Sequence, residues 1–112
     1  MDCLFCKIAN KQLPSDIVYE TKEVLVFKDI NPKAETHYLI LPKEHIESVM
    51  SAGSEKVIEK LIKTAKEIAE KGKIEGFKLV FNVGQKGGQT VPHLHMHFLS
   101  GEQMQTELTP EV

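Results

Sequence analysis

The stretch His93-Leu94-His95-Met96-His97-Phe98-Leu99 alternates strictly between imidazole and apolar side chains. In an extended strand, successive side chains point to opposite faces. That period places His93, His95 and His97 on one face and sends Leu94, Met96 and Phe98 into a core on the other. Neighbouring imidazoles repel one another once protonated, so part of the row stays neutral near pH 7. A neutral imidazole is a nucleophile and a protonated neighbour is a general acid, and one row can supply both. The same i, i+2, i+4 spacing also suits a facial metal site, or a surface cluster with no joint role.

The residues just before the row favour an anionic substrate. Gly84, Gly87 and Gly88 permit a flexible loop that turns tightly and aims its N–H groups at a phosphate. Gln89 and Thr90 add side-chain donors beside it.

Working outward, residues 91–99 read as the last of five strands. Ile17-Val18-Tyr19 and Val24-Leu25-Val26-Phe27 are β-rich runs joined by Glu20-Thr21-Lys22-Glu23, as in a hairpin. Asp29-Ile30-Asn31-Pro32 has turn chemistry, and His37-Tyr38-Leu39-Ile40-Leu41 is a third strand stopped by Pro42. Phe77-Lys78-Leu79-Val80-Phe81-Asn82 is a fourth. Between the third and fourth, Val57, Ile58, Leu61, Ile62, Ala65, Ile68 and Ala69 recur at helical spacing, opposite Glu and Lys. Ser54 as N-cap and Gly72 as C′ residue predict a helix over about 55–71. Residues 3–10 suit one or two short helical turns ahead of Leu13-Pro14. The expected fold is α+β: a five-stranded antiparallel sheet, one long helix and a short N-terminal helix.

The chain has 112 residues, 41% hydrophobic and 27% charged, which suits one globular domain over 1–112. Fourteen basic against sixteen acidic residues leave a net charge of −2, dispersed along the chain. Neither a nucleic-acid coat nor a polybasic membrane anchor has that distribution. No apolar run approaches the ~20 residues of a membrane span, and the first residues lack the pattern of a secretory signal. The expectation is a cytoplasmic protein with no nucleic-acid or membrane partner. Cys3 and Cys6 are too few to staple a fold of this size and fit a reducing compartment. Their Cys-x-x-Cys spacing is half of a tetrahedral zinc site, a redox pair, or two idle thiols.

The run from His93 to Leu99 matches the His-φ-His-φ-His-φ-φ signature of the histidine triad (HIT) superfamily at every position. The loop from Asn82 to Thr90 resembles the one that leads into the triad in the Hint branch. Phe27-Lys28-Asp29-Ile30-Asn31-Pro32 and Thr36-His37-Tyr38-Leu39-Ile40-Leu41-Pro42-Lys43-Glu44-His45-Ile46 extend the likeness upstream, so that it covers roughly residues 3–104. The resemblance implies a HIT-like fold and cleavage of a purine nucleoside phosphate derivative such as an AMP conjugate. Related possibilities are hydrolysis of dinucleoside polyphosphates, nucleotidyl transfer, or a nucleotide-binding regulatory role with incidental turnover; a zinc module that occupies all the histidines is a further one.

Residue by residue, the resemblance makes His95 the nucleophile that forms a nucleotidyl-histidine intermediate. His97 would contact the phosphate and help protonate the leaving group, with His37 beside the triad. Asn82, Gly88, Gln89 and Thr90 would hold the phosphate, with Thr90 where the family commonly has Ser. Asp29 would bind the ribose hydroxyls, and Phe5, Ile8, Leu13, Phe27 and Ile30 would line the base. This chemistry needs no metal. The likeness to bacterial members that begin with Cys-x-x-Cys implies a structural zinc held by Cys3, Cys6, His45 and His93, and a homodimer. One departure is the C-terminus: Gln103-Met104 matches, but a Trp-Pro-Pro-Gly stretch found in eukaryotic Hint proteins is replaced by Gln105-Thr106-Glu107-Leu108-Thr109-Pro110-Glu111-Val112.

Overall fold

A computed structural model describes residues 3–102 of the chain. The match at Gln103-Met104 and the departure after it lie outside these residues. In chain order the elements are α1 (Leu4–Ala9), β1 (Ile17–Glu20), β2 (Val24–Lys28), β3 (Thr36–Pro42), α2 (Ser54–Gly72), β4 (Lys78–Val80), a 3₁₀ turn (Gln85–Gly87) and β5 (Met96–Ser100). The strands form one antiparallel sheet in the order β1-β2-β3-β5-β4. Because β5 lies between β3 and β4, antiparallel to both, α2 is the crossover between two parallel strands. The α+β fold is as expected.

The sheet separates two cores. On one face Val24, Val26, Ile40, Met96 and Phe98 pack with Leu61, Ala65, Ile68 and Ala69 of α2. On the other, Leu25, Phe27, Leu39 and Leu41 pack with Cys3, Phe5, Ile8 and Ala9 around α1. The period-2 alternation of each strand feeds both at once, since neighbouring residues must enter opposite layers. Leu94, Met96 and Phe98 enter the α2 layer as their alternation predicts. Leu61 is fully buried there, so Leu61→Ala is expected to cost about 2–5 kcal/mol, read as a lower urea midpoint. Ile62 shares the helical spacing but is exposed, and Ile62→Ala should stay within about 1 kcal/mol.

Several boundaries differ from the sequence reading. Ser54 is the first residue of α2 rather than its cap; Gly53 takes the cap position at φ +80°, and the Ser54 hydroxyl donates instead to the Val49 carbonyl. Gly72 stays helical and Lys73 adopts the left-handed conformation at φ 52°. A Cβ on Gly72 would stand 3.4 Å from the Ile74 side chain, which folds back over the helix end. Pro42 ends β3 from inside it, paired with Val24. β4 is shorter than the 77–82 run, and Phe77, just before it, stacks on Phe98 at 4.6 Å.

The fifth strand starts at Met96, five residues later than expected. Pro92 has no N–H to give a ladder, the His93 N–H bonds Val91, and the Leu94 N–H bonds Ile46. His93 and His95 therefore precede the regular strand and are placed by hydrogen bonds of their own.

Candidate active site and metal centre

His37, His95, His97 and Asp29 are all buried, on the α1 side of the sheet. Register places His97 of β5 opposite Leu39 of β3, and His37 two residues before it on the same face. The Lys33 N–H donates to His37 Nδ1 at 3.0 Å. A backbone N–H can only donate, so neutral His37 carries its proton on Nε2. That N–H points to His97 Nδ1 at 2.9 Å, with Asp29 Oδ2 at 3.4 Å. His97 thus accepts at Nδ1 and carries its own proton on Nε2. The other Asp29 oxygen accepts from the Asn31 N–H at 2.8 Å. Burial holds His37 below the usual imidazole pKa, with Asp29 partly offsetting it and Lys33 adding to it.

His95 is set in the complementary way. Its Nδ1–H donates to the His93 carbonyl at 2.6 Å, which leaves the lone pair on Nε2. His95 Nε2 is buried and, among the described residues, has no hydrogen-bond partner. An unpaired polar atom at a buried site is costly and calls for an explanation; a bare imidazole nitrogen awaiting a reacting atom is one. Phe5 from α1 stands edge-on to the His95 ring at 5.0 Å and also meets His93 and Phe27.

The expected phosphate loop is a braced turn, not a flexible one. The N–H groups of Gly87, Gly88 and Gln89 bond back within it. The Gln89 amide oxygen accepts from the Gly84 N–H at 2.9 Å, and its nitrogen donates to the Glu47 and Val91 carbonyls. Gln89, read as a phosphate ligand, has its amide engaged in holding the loop to its neighbours. Gly88 sits at φ +87°, a conformation that favours glycine, and a Cβ there would make ordinary contact with the Asn82 side chain at 3.9 Å. Asn82 is half-buried and Thr90 exposed. Of the five residues expected around the base, Phe5, Ile8 and Phe27 are buried, whereas Leu13 is 37% and Ile30 90% exposed. A further cavity of about 490 Å³, lined by Glu47, Ser48, Gly84, Gln85, Gln89, Thr90 and Pro92, adjoins the loop.

The cysteines belong to a second cluster. Cys3 caps α1, its sulfur accepting from the Cys6 N–H at 3.3 Å. His93 Nδ1 lies 3.2 Å from Cys3 Sγ and 3.6 Å from Cys6 Sγ, and His45 Nδ1 lies 3.3 Å from Cys6 Sγ. All four ligand atoms fall within 4.8 Å of one another. His93 Nε2–H donates to the Pro42 carbonyl at 2.8 Å, leaving the Nδ1 lone pair directed at the sulfurs. A second polar partner of this kind is what orients metal-ligating histidines. The cluster can therefore hold a metal, and two thiolates with two neutral imidazoles match the donor set of a closed tetrahedral zinc site. Asp29, His37 and His97 also come within 4.8 Å, where the hydrogen bonds above account for their approach.

Burial pushes His93 down to about 4, with His45 and His95 adding to the effect and the Pro42 bond opposing it. His37 shifts the same way. A histidine depressed in the folded state takes up its proton more readily when unfolded, so stability is present above about pH 6.5 and lost as pH falls toward 4. For His93 alone the shift amounts to roughly 3 kcal/mol. The expected result is a urea midpoint that falls steadily over that window. Bound metal would reinforce the sign, since protons compete for its ligands.

Comparison with known proteins places this arrangement among relatives. A family model described as "Scavenger mRNA decapping enzyme C-term binding" matches residues 2–109. Protein HitA of Neisseria gonorrhoeae is 45% identical over 101 residues, 88% of this chain and 94% of its own. A HIT family hydrolase from Legionella pneumophila superposes with a TM-score of 0.86 at 41% identity, covering 95% of this chain and 98% of that one. A histidine triad protein from Clostridium difficile gives 0.90 at 38%, covering 96% and 97%.

Proposed function

The chain belongs to the histidine triad superfamily, in the family described as scavenger mRNA decapping enzyme C-term binding, and on that premise we propose that it hydrolyses nucleoside monophosphate conjugates through His95. The observation that carries this reading is the bare, buried Nε2 of His95, its proton held on the opposite nitrogen by the His93 carbonyl. Nucleotide binding is the common property of the superfamily, and the Legionella neighbour is described as a hydrolase.

In this reading His95 Nε2 attacks the α-phosphorus of a purine nucleoside phosphoramidate or similar conjugate. An N–P bond forms as the bond to the leaving group breaks. The departing amine takes up a proton from Nε2 of His97, which enters the step as the imidazolium and leaves it as the neutral imidazole. Water then attacks the nucleotidyl-histidine, frees His95, and returns the proton. Asp29 and His37 orient the His97 ring with Nε2 toward the leaving group. Asn82, Gly88 and Thr90 lie around the phosphate, with Gln89 bracing the loop; Phe5, Ile8, Leu13, Phe27 and Ile30 face the base, and Asp29 the ribose. The step uses imidazole and polar groups alone and needs no metal.

Cys3, Cys6, His45 and His93 would hold a zinc ion, which would close the α1 end of the fold without entering the reaction. Family resemblance further makes the protein a homodimer, and its length, dispersed charge and two thiols favour a cytoplasmic single domain over 1–112 with no nucleic-acid or membrane partner. Among the described residues no helix is long and apolar enough to cross a membrane.

A substrate panel tests the reading: adenosine and guanosine phosphoramidates, adenylyl sulfate and dinucleoside polyphosphates, each followed by release of the nucleoside monophosphate. The expected result is multiple turnover with at least one phosphoramidate. AMP binding without turnover of any member would replace the enzyme by a nucleotide-binding regulatory protein. Preference for dinucleoside polyphosphates would keep the covalent step and change the leaving group.

A further inference from the structure

The peptide unit between His93 and Leu94 faces two ways. Its carbonyl oxygen accepts the 2.6 Å bond from His95 Nδ1. Its N–H, that of Leu94, donates to the Ile46 carbonyl, also at 2.6 Å. Ile46 follows His45 directly, and the carbonyl is that of His93. These are the two imidazoles of the Cys/His cluster, with ring centroids 5.2 Å apart. The two chain segments that a metal would tie together through side chains are thus already joined by a backbone bond. The other edge of the same peptide plane sets the His95 ring. The cluster reaches that ring by a second route, because Phe5 lies between Cys3 and Cys6 on α1 and packs edge-on against it at 5.0 Å.

We propose that the Cys3/Cys6/His45/His93 centre is a positioning device for His95. A divalent metal there fixes the His93–Leu94 peptide plane and α1 together, and these hold the His95 ring with its proton on Nδ1. The inference rests on the reading of His95 as nucleophile. It goes beyond a stabilising role, because the two tautomers of an isolated imidazole are close in energy and a hydrogen-bond partner decides between them. Should the plane turn, the His93 carbonyl no longer selects the tautomer, and part of the population carries its proton on the nitrogen that must attack. The positioning residues are His93, through its carbonyl, and Phe5, through its ring; neither touches the reacting phosphorus in this account.

The test is nitrogen-15 NMR of the His95 imidazole, using long-range proton–nitrogen correlations, in zinc-loaded and chelator-treated protein held well below its melting temperature. Backbone amide spectra establish that both samples are folded. The loaded protein is expected to show one protonated and one bare nitrogen, with the proton on Nδ1. The metal-free protein is expected to show the two nitrogens drawn toward a common averaged shift. In the same samples kcat for an adenosine phosphoramidate should fall at least about tenfold per folded molecule, with AMP affinity within about threefold, and zinc should restore both. Where the metal-free protein fails to fold, Cys6→Ser, which keeps three ligands, is titrated with zinc, and the tautomer signal should follow occupancy. A His95 spectrum identical with and without metal in folded protein overturns the proposal. A tautomer that tracks the metal while no nucleotide conjugate is turned over supports the positioning and refutes only the assigned reaction.

Discussion

His95→Ala is expected to lower turnover of a nucleoside phosphoramidate by at least about a thousandfold, with AMP affinity changed only a few-fold. The nucleophile makes and breaks the covalent bond in both half-reactions, and removal of such a group costs far more than loss of one hydrogen bond. His97→Ala should be milder, about a hundredfold or more, because a general acid contributes roughly that range. The ranking matters more than either number. In the structure both imidazoles are buried beside one another, with ring centroids 5.2 Å apart. A shared loss from disturbed packing would make the two variants equal; distinct roles make His95 the larger loss. Steady-state kinetics with AMP titration calorimetry on both variants distinguishes these outcomes.

The other large effect falls on stability. Cys3→Ser combined with Cys6→Ser removes both thiolates and is expected to abolish stoichiometric zinc binding. At zinc concentrations about a thousandfold above its dissociation constant, binding contributes about 4 kcal/mol to the folded state. For a domain of this size that corresponds to a melting temperature lower by roughly 15 °C or more. Cys3 is also the side-chain cap of α1, and α1 carries Phe5, Ile8 and Ala9 into the second core. Calorimetry with and without added zinc checks this: wild type should shift with the metal and the double variant should not. Equal melting temperatures for wild type and variant in excess zinc would remove the metal from the account.

Much of this was legible in the sequence because it lies in side-chain periodicity. The strand alternation at Leu94-Met96-Phe98 and the helical spacing of Leu61, Ala65 and Ile68 each describe a burial face, and burial faces dictate layers. The histidines and cysteines were legible because their chemistry is unusual in so short a chain. What escaped was carried by the backbone. The His93 carbonyl, the Pro42 carbonyl and the Lys33 N–H fix the tautomers of His95, His93 and His37, and the Ile46 carbonyl holds the Leu94 N–H beside them; no residue type advertises a backbone group. The same cause moved the start of the fifth strand, since the N–H groups of His93 and Leu94 leave the ladder for Val91 and Ile46. Gln89 escaped for a related reason: its amide mimics a backbone unit and braces the loop. Ile62 shows the converse limit, an apolar residue at the right spacing that remains on the surface.

Turnover by the proposed route requires that His95 Nε2 become covalently bonded to the α-phosphorus. Rapid quench of the protein with an adenosine phosphoramidate, followed by peptide mapping in a mass spectrometer, tests it directly. An adenylyl mass increment is expected on the peptide containing residues 93–97, localised to His95, formed and lost at rates compatible with turnover and missing from His95→Ala. Full turnover with no adduct on His95 at any quench time, or with the adduct on His93 or His97, would contradict it.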